Sequence, residues 1–211
     1  MHNGAAISRR TAVFEKYMTE REKAASGYLF DANDETLKKE RTICKDLCFE
    51  FNLCKPSDTE KQRQLLHRIF GGIKDNAEVT APFWCDYGYN IFVGSNFYAN
   101  HNCVILDTAR ITFGDNVFIA PNCCFSAAGH PLDAEQRSKG LEIALPISVG
   151  NNVWIGAGVT VVPGVAIGDN TVIGAGSVVV KNIPSDVLAA GNPCRVIRKL
   201  TEKDKEKYRH L

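Results

Sequence analysis

From Phe113 onward an aliphatic residue or a phenylalanine returns at every sixth position: Phe113, Ile119, Phe125, then Val149, Ile155, Val161, Ile167, Ile173 and Val179. Between Phe125 and Val149 the rhythm stops for 24 residues, four whole periods, and resumes in phase. After the break six hexapeptides run in tandem: ISVGNN, VWIGAG, VTVVPG, VAIGDN, TVIGAG and SVVVKN. The third place of each is aliphatic, the fourth is glycine in four of six, and the last is asparagine or glycine in all six. One inward aliphatic per hexapeptide, with residues at each corner that tolerate left-handed backbone, predicts short strands that close a core by stacking. The expectation is a β-solenoid from about residue 77 to residue 184. NIFVGSN (90–96) and ITFGDNVFIAPNC (111–123) carry the same hallmark. The step from Val93 to Phe113 is 20 residues, so a bulge or short insertion is expected between them.

Residues 12–73 follow a helical rhythm instead. Leu37, Cys44, Leu47, Cys48 and Phe51 fall at spacings that make one apolar helix face. Ser57 and Glu60 match a capping box ahead of Leu65, Leu66, Ile69 and Phe70, and Gly71–Gly72 predict the end of that helix. The chain divides into a helical cap (1–73), a solenoid (74–200) interrupted by a loop (126–147), and a charged tail (201–211) expected as a short solvated helix.

Composition narrows the function classes. The 211 residues carry a formal net charge of +1, which gives no global pull toward nucleic acid or an anionic membrane. No apolar run reaches the ~18 residues of a membrane span, and the N-terminus lacks the apolar core of a secretory signal, so a cytoplasmic location is expected. The eight cysteines are scattered with no C-x-x-C pair. They read as free thiols acting as small hydrophobes, and no metal is expected.

The break around GHP draws attention to His130. It sits near the base of the loop, followed by Pro131, and a neutral imidazole is suited to taking a proton from a hydroxyl near neutral pH. On residues alone, a loop histidine bonded to backbone is the stronger reading.

NFYANHN, SAAGHPLDAEQR, PISVGNNVWIGAGV, VAIGDNTVIGAGSVVVKNIP and AAGNPCRVIRKL together resemble the galactoside and maltose O-acetyltransferases of the hexapeptide-repeat superfamily. The likeness extends over roughly residues 14–200, including the cap with its GYLFDANDETL entry. It implies a mainly β fold, a left-handed parallel β-helix whose hand breaks the usual crossover rule. It also implies homotrimers with acetyl-CoA and a sugar acceptor bound between subunits.

Residue by residue, the resemblance makes His130 the catalytic base. Asn100, Tyr98 and Asp86 become acceptor contacts. The family's cap carboxylate falls on Ala32, between Asp31 and Asp34, so either carboxylate can replace it, and Asp31 is carried forward as the acceptor contact; a further acidic contact has Thr108 at its position, with Asp107 adjacent. Ala157 and Ala175 match backbone contacts to the pantetheine arm, Ala157 standing where the family often has serine. Lys181, Arg195 and Arg198 match the region that meets the nucleotide phosphates. Trp154 reads either as packing between subunits or as a wall of the acetyl channel. His101 reads as a neighbour filling space.

The reaction implied is direct transfer of an acetyl group from acetyl-CoA to a sugar hydroxyl, of maltose, glucose or a galactoside. An acetyl-enzyme on Cys123 or Cys124 competes poorly, because APNCCF lies inside a repeat and buries at least one of these thiols. A zinc solenoid of the γ-carbonic-anhydrase type needs three histidines, and the coil with its loop has His101 and His130. A serine-type O-acetyltransferase and a non-catalytic binding scaffold are the remaining alternatives.

Overall fold

The computed structural model describes residues 17–206. Along the coil, strands of two to four residues bury one side chain and turn the next outward, and the buried ones stack in three columns. On the first face half-buried Ile73 and buried Val93, Phe113, Val149 and Ile167 lie in parallel register. Val79, Ala99, Ile119, Ile155, Ile173 and Ala189 do so on the second. Cys85, Ile105, Phe125, Val161 and Val179 form the third. The result is a left-handed parallel β-helix. Each fully buried aliphatic contributes about 1.5–3 kcal/mol, so the columns carry the stability that strands this short cannot supply alone.

The columns locate the extra residues. Steps of six join the first face to the second and the second to the third; returning from the third to the first takes eight in the first two turns, from Cys85 to Val93 and from Ile105 to Phe113, and six later, from Val161 to Ile167. The irregularity expected between Val93 and Phe113 is thus a wider corner, repeated in two turns. The 126–147 loop leaves the coil at this same corner, so it marks one edge of the prism, here called the loop edge.

The other two edges are tight. On the edge between the first and second faces, Asn76, Asn96, Asn116, Asn152 and Asn170 have φ of 51–57°. Their side chains form a ladder, with successive amide-to-carbonyl distances of 2.9–3.2 Å, that ends on Asp186 at 3.0 Å. Asparagine suits this position twice, since it tolerates left-handed backbone and its amide both donates and accepts. Asn182 departs from the pattern: its φ is not positive, and its side chain accepts from the Ala166 N–H at 2.8 Å. The fourth-place glycines serve close approach rather than positive φ. A Cβ at Gly156 would stand 2.6 Å from the backbone nitrogen of Ala175 in the next turn.

The cap comprises α1 (Glu20–Ala25), α2 (Glu35–Asn52) and α3 (Thr59–Ile69). The capping box expected from Ser57 and Glu60 is absent: Asp58 caps α3 by accepting from Lys61 N–H, and Glu60 pairs with Arg63 at 2.8 Å. Asp58 competes one position later with a side chain equally able to cap. Gly72–Ile73, at the expected end of the cap, already forms the first strand of the coil.

α2 buries Leu37, Cys44, Cys48 and Phe51 and lies against Phe83–Cys85, the end strand of the third face. Asn52 there donates to Phe83 O and accepts from Phe83 N–H, at 2.9 and 2.8 Å, satisfying an exposed sheet edge. At the other end, Arg195–Lys199 folds back antiparallel on Val187–Ala190. Of the tail, Glu202–Lys205 forms a 3₁₀ turn and residues 207–211 lie outside the described chain. Among the described residues no helix is long and apolar enough to cross a membrane.

Candidate active site

The loop is a built hairpin. Ala128–Gly129 pairs with Leu141–Ala144, and that strand pairs in turn with Phe30–Asp31 from the cap. The cap therefore fixes the loop, which is why an excursion of this length holds a defined shape.

His130 leaves this hairpin with its side chain 55% exposed. Its Nδ1 lies 3.3 Å from the Leu141 carbonyl oxygen, which can only accept. The contact is productive when Nδ1 carries the proton, and Nε2 then presents a free lone pair. Glu142, half-buried, places a carboxylate oxygen 4.0 Å from that Nε2. Burial raises the Glu142 pKa, against the pull of His130 and Arg41. Glu142 was not singled out from sequence, because its relation to His130 arises only when the two hairpin strands pair.

Below the hairpin the two wide corners stack. Asp107 is fully buried, and its carboxylate accepts from the backbone N–H groups of Asp86 (3.1 Å), Tyr87 (2.8 Å) and Asn90 (3.2 Å). Burial pushes its pKa up to about 6, opposed by those bonds. Its carboxylate is thus turned to backbone, and Asp107 shapes the corner that carries Asp86. Asp86 is half-buried, its pKa raised by burial while Lys45 and Arg41 act to lower it. Arg41 on α2 holds the group together. It donates to Tyr87 Oη and, at 2.6 Å, to Ala32 O, and its charge acts on both Asp86 and Glu142. Asp31 lies in the strand paired with Leu141 and accepts from Asn33 N–H at 2.8 Å. The loop edge thus gathers His130, Asp86 and Asp31, together with Glu142 and Arg41.

The other expected contacts lie elsewhere. Tyr98 is on the second face and Asn100 on the edge between the second and third, here the alanine edge; Thr80 donates to Tyr98 Oη at 3.3 Å. The Asn100 side chain accepts from His101 N–H at 2.7 Å, and the exposed His101 ring contacts the Ala81 carbonyl at 2.6 Å. Further along the same edge Ala157 and Ala175 stack, both exposed, the Gly176 N–H donating to Ala157 O at 2.8 Å. Trp154, 55% exposed, stands on the second face between Phe118 and Val172 in register. Five to six residues of extended chain, roughly 15–20 Å, separate the alanine edge from the loop edge across the third face. His130 and Asn100 therefore stand on different edges of one protomer.

Of the three basic residues, Lys181 is exposed on the loop edge in the last turn, and Arg195 is exposed on the end strand beside the alanine edge. Arg198 is engaged within the chain by a two-pronged pair with Asp204 at 2.6 and 2.9 Å. Cys123 is buried, donates to Gly156 O at 3.2 Å, and has its pKa raised by burial, as does half-buried Cys124. Neither thiol is disposed to ionise as a nucleophile. A separate cavity of about 440 Å³ lies between α1 and the wide corners, lined by Arg21, Tyr87, Tyr89, Asn90 and Arg110 among others, and neither His130 nor Asp86 lines it.

A stacked coil of hexapeptides, capped by helices and opened at one edge by a histidine hairpin, defines a class before it defines a protein. Residues 23–74 match the maltose acetyltransferase hexapeptide capping motif, and residues 146–181 match the bacterial transferase hexapeptide (six repeats). Galactoside O-acetyltransferase of Escherichia coli (strain K12) is 50% identical over 191 residues, 90% of this chain and 93% of that one. A galactoside acetyltransferase solved in complex with coenzyme A superposes with a TM-score of 0.88 at 48% identity, over 90% of this chain and 96% of that one. A hexapeptide-repeat acetyltransferase of Vibrio cholerae, solved with acetyl coenzyme A, gives 0.81 at 36% identity, over 88% and 100%. The chain belongs to the galactoside and maltose O-acetyltransferase family of hexapeptide-repeat transferases.

Proposed function

We propose that this chain moves an acetyl group from acetyl-CoA to a hydroxyl of a sugar by direct transfer, with His130 as general base, at a site completed by a second protomer. The observation that carries the reading is the division of the expected groups between two edges. The base and the carboxylates stand on the loop edge, while Asn100, Tyr98 and the exposed Ala157–Ala175 track stand on the alanine edge. A closed ring of three copies sets one protomer's loop edge against its neighbour's alanine edge, giving three equivalent sites.

In that arrangement Nε2 of His130 takes the proton of the attacking hydroxyl while Leu141 O fixes the ring. Glu142 stands where it stabilises the imidazolium that results. The acceptor oxygen bonds to the thioester carbon, and a backbone N–H near Ala157 donates to the oxyanion. The carbon–sulfur bond breaks, and the imidazolium returns its proton to the departing thiolate. Asp86 and Asp31 orient the other sugar hydroxyls. Arg195 and Lys181 pair with the nucleotide phosphates, and Arg198 joins them on exchanging its Asp204 partner.

The test is thiol release from acetyl-CoA against a panel of maltose, glucose and galactosides, run beside His130→Ala. The variant is expected to lose at least ~10²-fold in turnover with its fold intact. Turnover in His130→Ala equal to that of the parent chain would remove the histidine from the mechanism.

A further inference from the structure

Three sulfurs converge at the seam between cap and coil. Cys44 and Cys48 stand one helical turn apart on the buried face of α2, and Cys85 comes from the strand it covers. The Cys85 Sγ lies 3.4 Å from that of Cys44 and 3.6 Å from that of Cys48, and all three lie within 4.8 Å of one another. All three residues are buried, exposing 3% or less, and none is in a disulfide.

We propose that Cys44, Cys48 and Cys85 form a trigonal binding site for one soft monovalent cation, Cu(I). Soft thiolate sets select Cu(I), zinc or iron–sulfur clusters. A structural zinc takes four ligands, and an iron–sulfur cluster four cysteines. Among the described residues this group holds three ligating side chains, with no further histidine, cysteine or carboxylate within its compass. A zinc held by three would keep water as its fourth ligand, which sulfurs this deeply buried do not admit. With metal–sulfur bonds of about 2.3 Å, a planar three-sulfur site has edges of roughly 4 Å, a small expansion of the two separations observed.

Binding one Cu⁺ through three sulfurs requires that the thiol protons of the set leave to solvent as the copper–sulfur bonds form. The site would brace the two elements that carry Arg41 and Asp86, since Cys85 directly precedes Asp86 and α2 bears Arg41.

The test titrates the full, reduced chain with Cu(I) under anaerobic conditions, in competition with bathocuproine disulfonate. One equivalent is expected to stay with each chain, with copper–thiolate charge-transfer absorption and a raised melting temperature. Cys44→Ala and Cys48→Ala are each expected to weaken retention by at least ~10-fold. The Cys54→Ala/Cys124→Ala double variant, which removes the two half-buried thiols, is expected to retain the full equivalent. Should an alanine variant fail to fold, serine keeps the volume and removes the soft donor. Equal retention in the α2 variants, loss in the Cys54/Cys124 variant, or a folded chain that holds zinc but no copper would each overturn the proposal.

Discussion

Asp107 shows how one side chain can serve a site without touching substrate. Its carboxylate gathers three backbone N–H groups, and burial still raises its pKa to about 6, above the ordinary 3.8. Between those two values the folded chain holds a proton that the unfolded chain has released. Unfolding therefore releases a proton there, and stability falls as pH rises from about 4 to about 6, then levels off. Asp107→Asn keeps an acceptor for Asp86 and Tyr87 but turns a donor toward Asn90 N–H, a loss of about 1–3 kcal/mol. Thermal melts from pH 4 to pH 8 should show the variant less stable throughout, with the decline between pH 4 and pH 6 reduced. Parallel curves for the two proteins would mean that Asp107 does not titrate in that window.

Among the elements, the asparagine edge separates two effects that usually travel together. Asn116 holds φ at 57°, accepts from Asn96 and donates to Asn152, each at 2.9 Å. Asn116→Gly removes the ladder bonds and keeps the backbone content, whereas Asn116→Ala removes the bonds and adds roughly 1–2 kcal/mol of left-handed strain. Urea denaturation should rank parent, glycine variant and alanine variant in falling stability, with the glycine variant about 1 kcal/mol below the parent. Equal losses in both variants would assign the whole effect to the ladder. This edge was legible in the sequence because its period is local: each of its asparagines follows an inward apolar residue by three positions. The wide corners were less so. Two extra residues in a 20-residue step reveal an irregularity but not its place, which the strand register alone fixes at the loop edge. Long-range pairing hid the rest. Glu142 meets His130 across a hairpin, Arg41 reaches the site from a helix, and Cys85 joins Cys44 and Cys48 from about 40 positions away. No periodicity in the chain encodes those meetings.

At the scale of the whole molecule, the proposed sharing of the site between two edges makes a claim about assembly that can be tested. Three copies of a 23.2 kDa chain give 69.6 kDa (3 × 23.2), and light scattering should return a mass near that value. Mass alone does not show that sites are shared, and mixing two variants does. His130→Ala removes the base from the loop edge; Asn100→Ala removes a contact from the alanine edge. Each alone should be strongly impaired. If every site takes its histidine from one protomer and its asparagine from the next, a site in a mixed ring is intact when the Asn100→Ala chain supplies the loop edge and the His130→Ala chain the other. Random exchange of equal amounts meets both conditions at about one site in four (½ × ½). The mixture should therefore recover about a quarter of the parent's turnover after subunits are exchanged through mild denaturant, and none when the variants are merely combined without exchange. A mixture that stays as inactive as its components after proven exchange would place both residues' work within a single protomer and overturn the shared site.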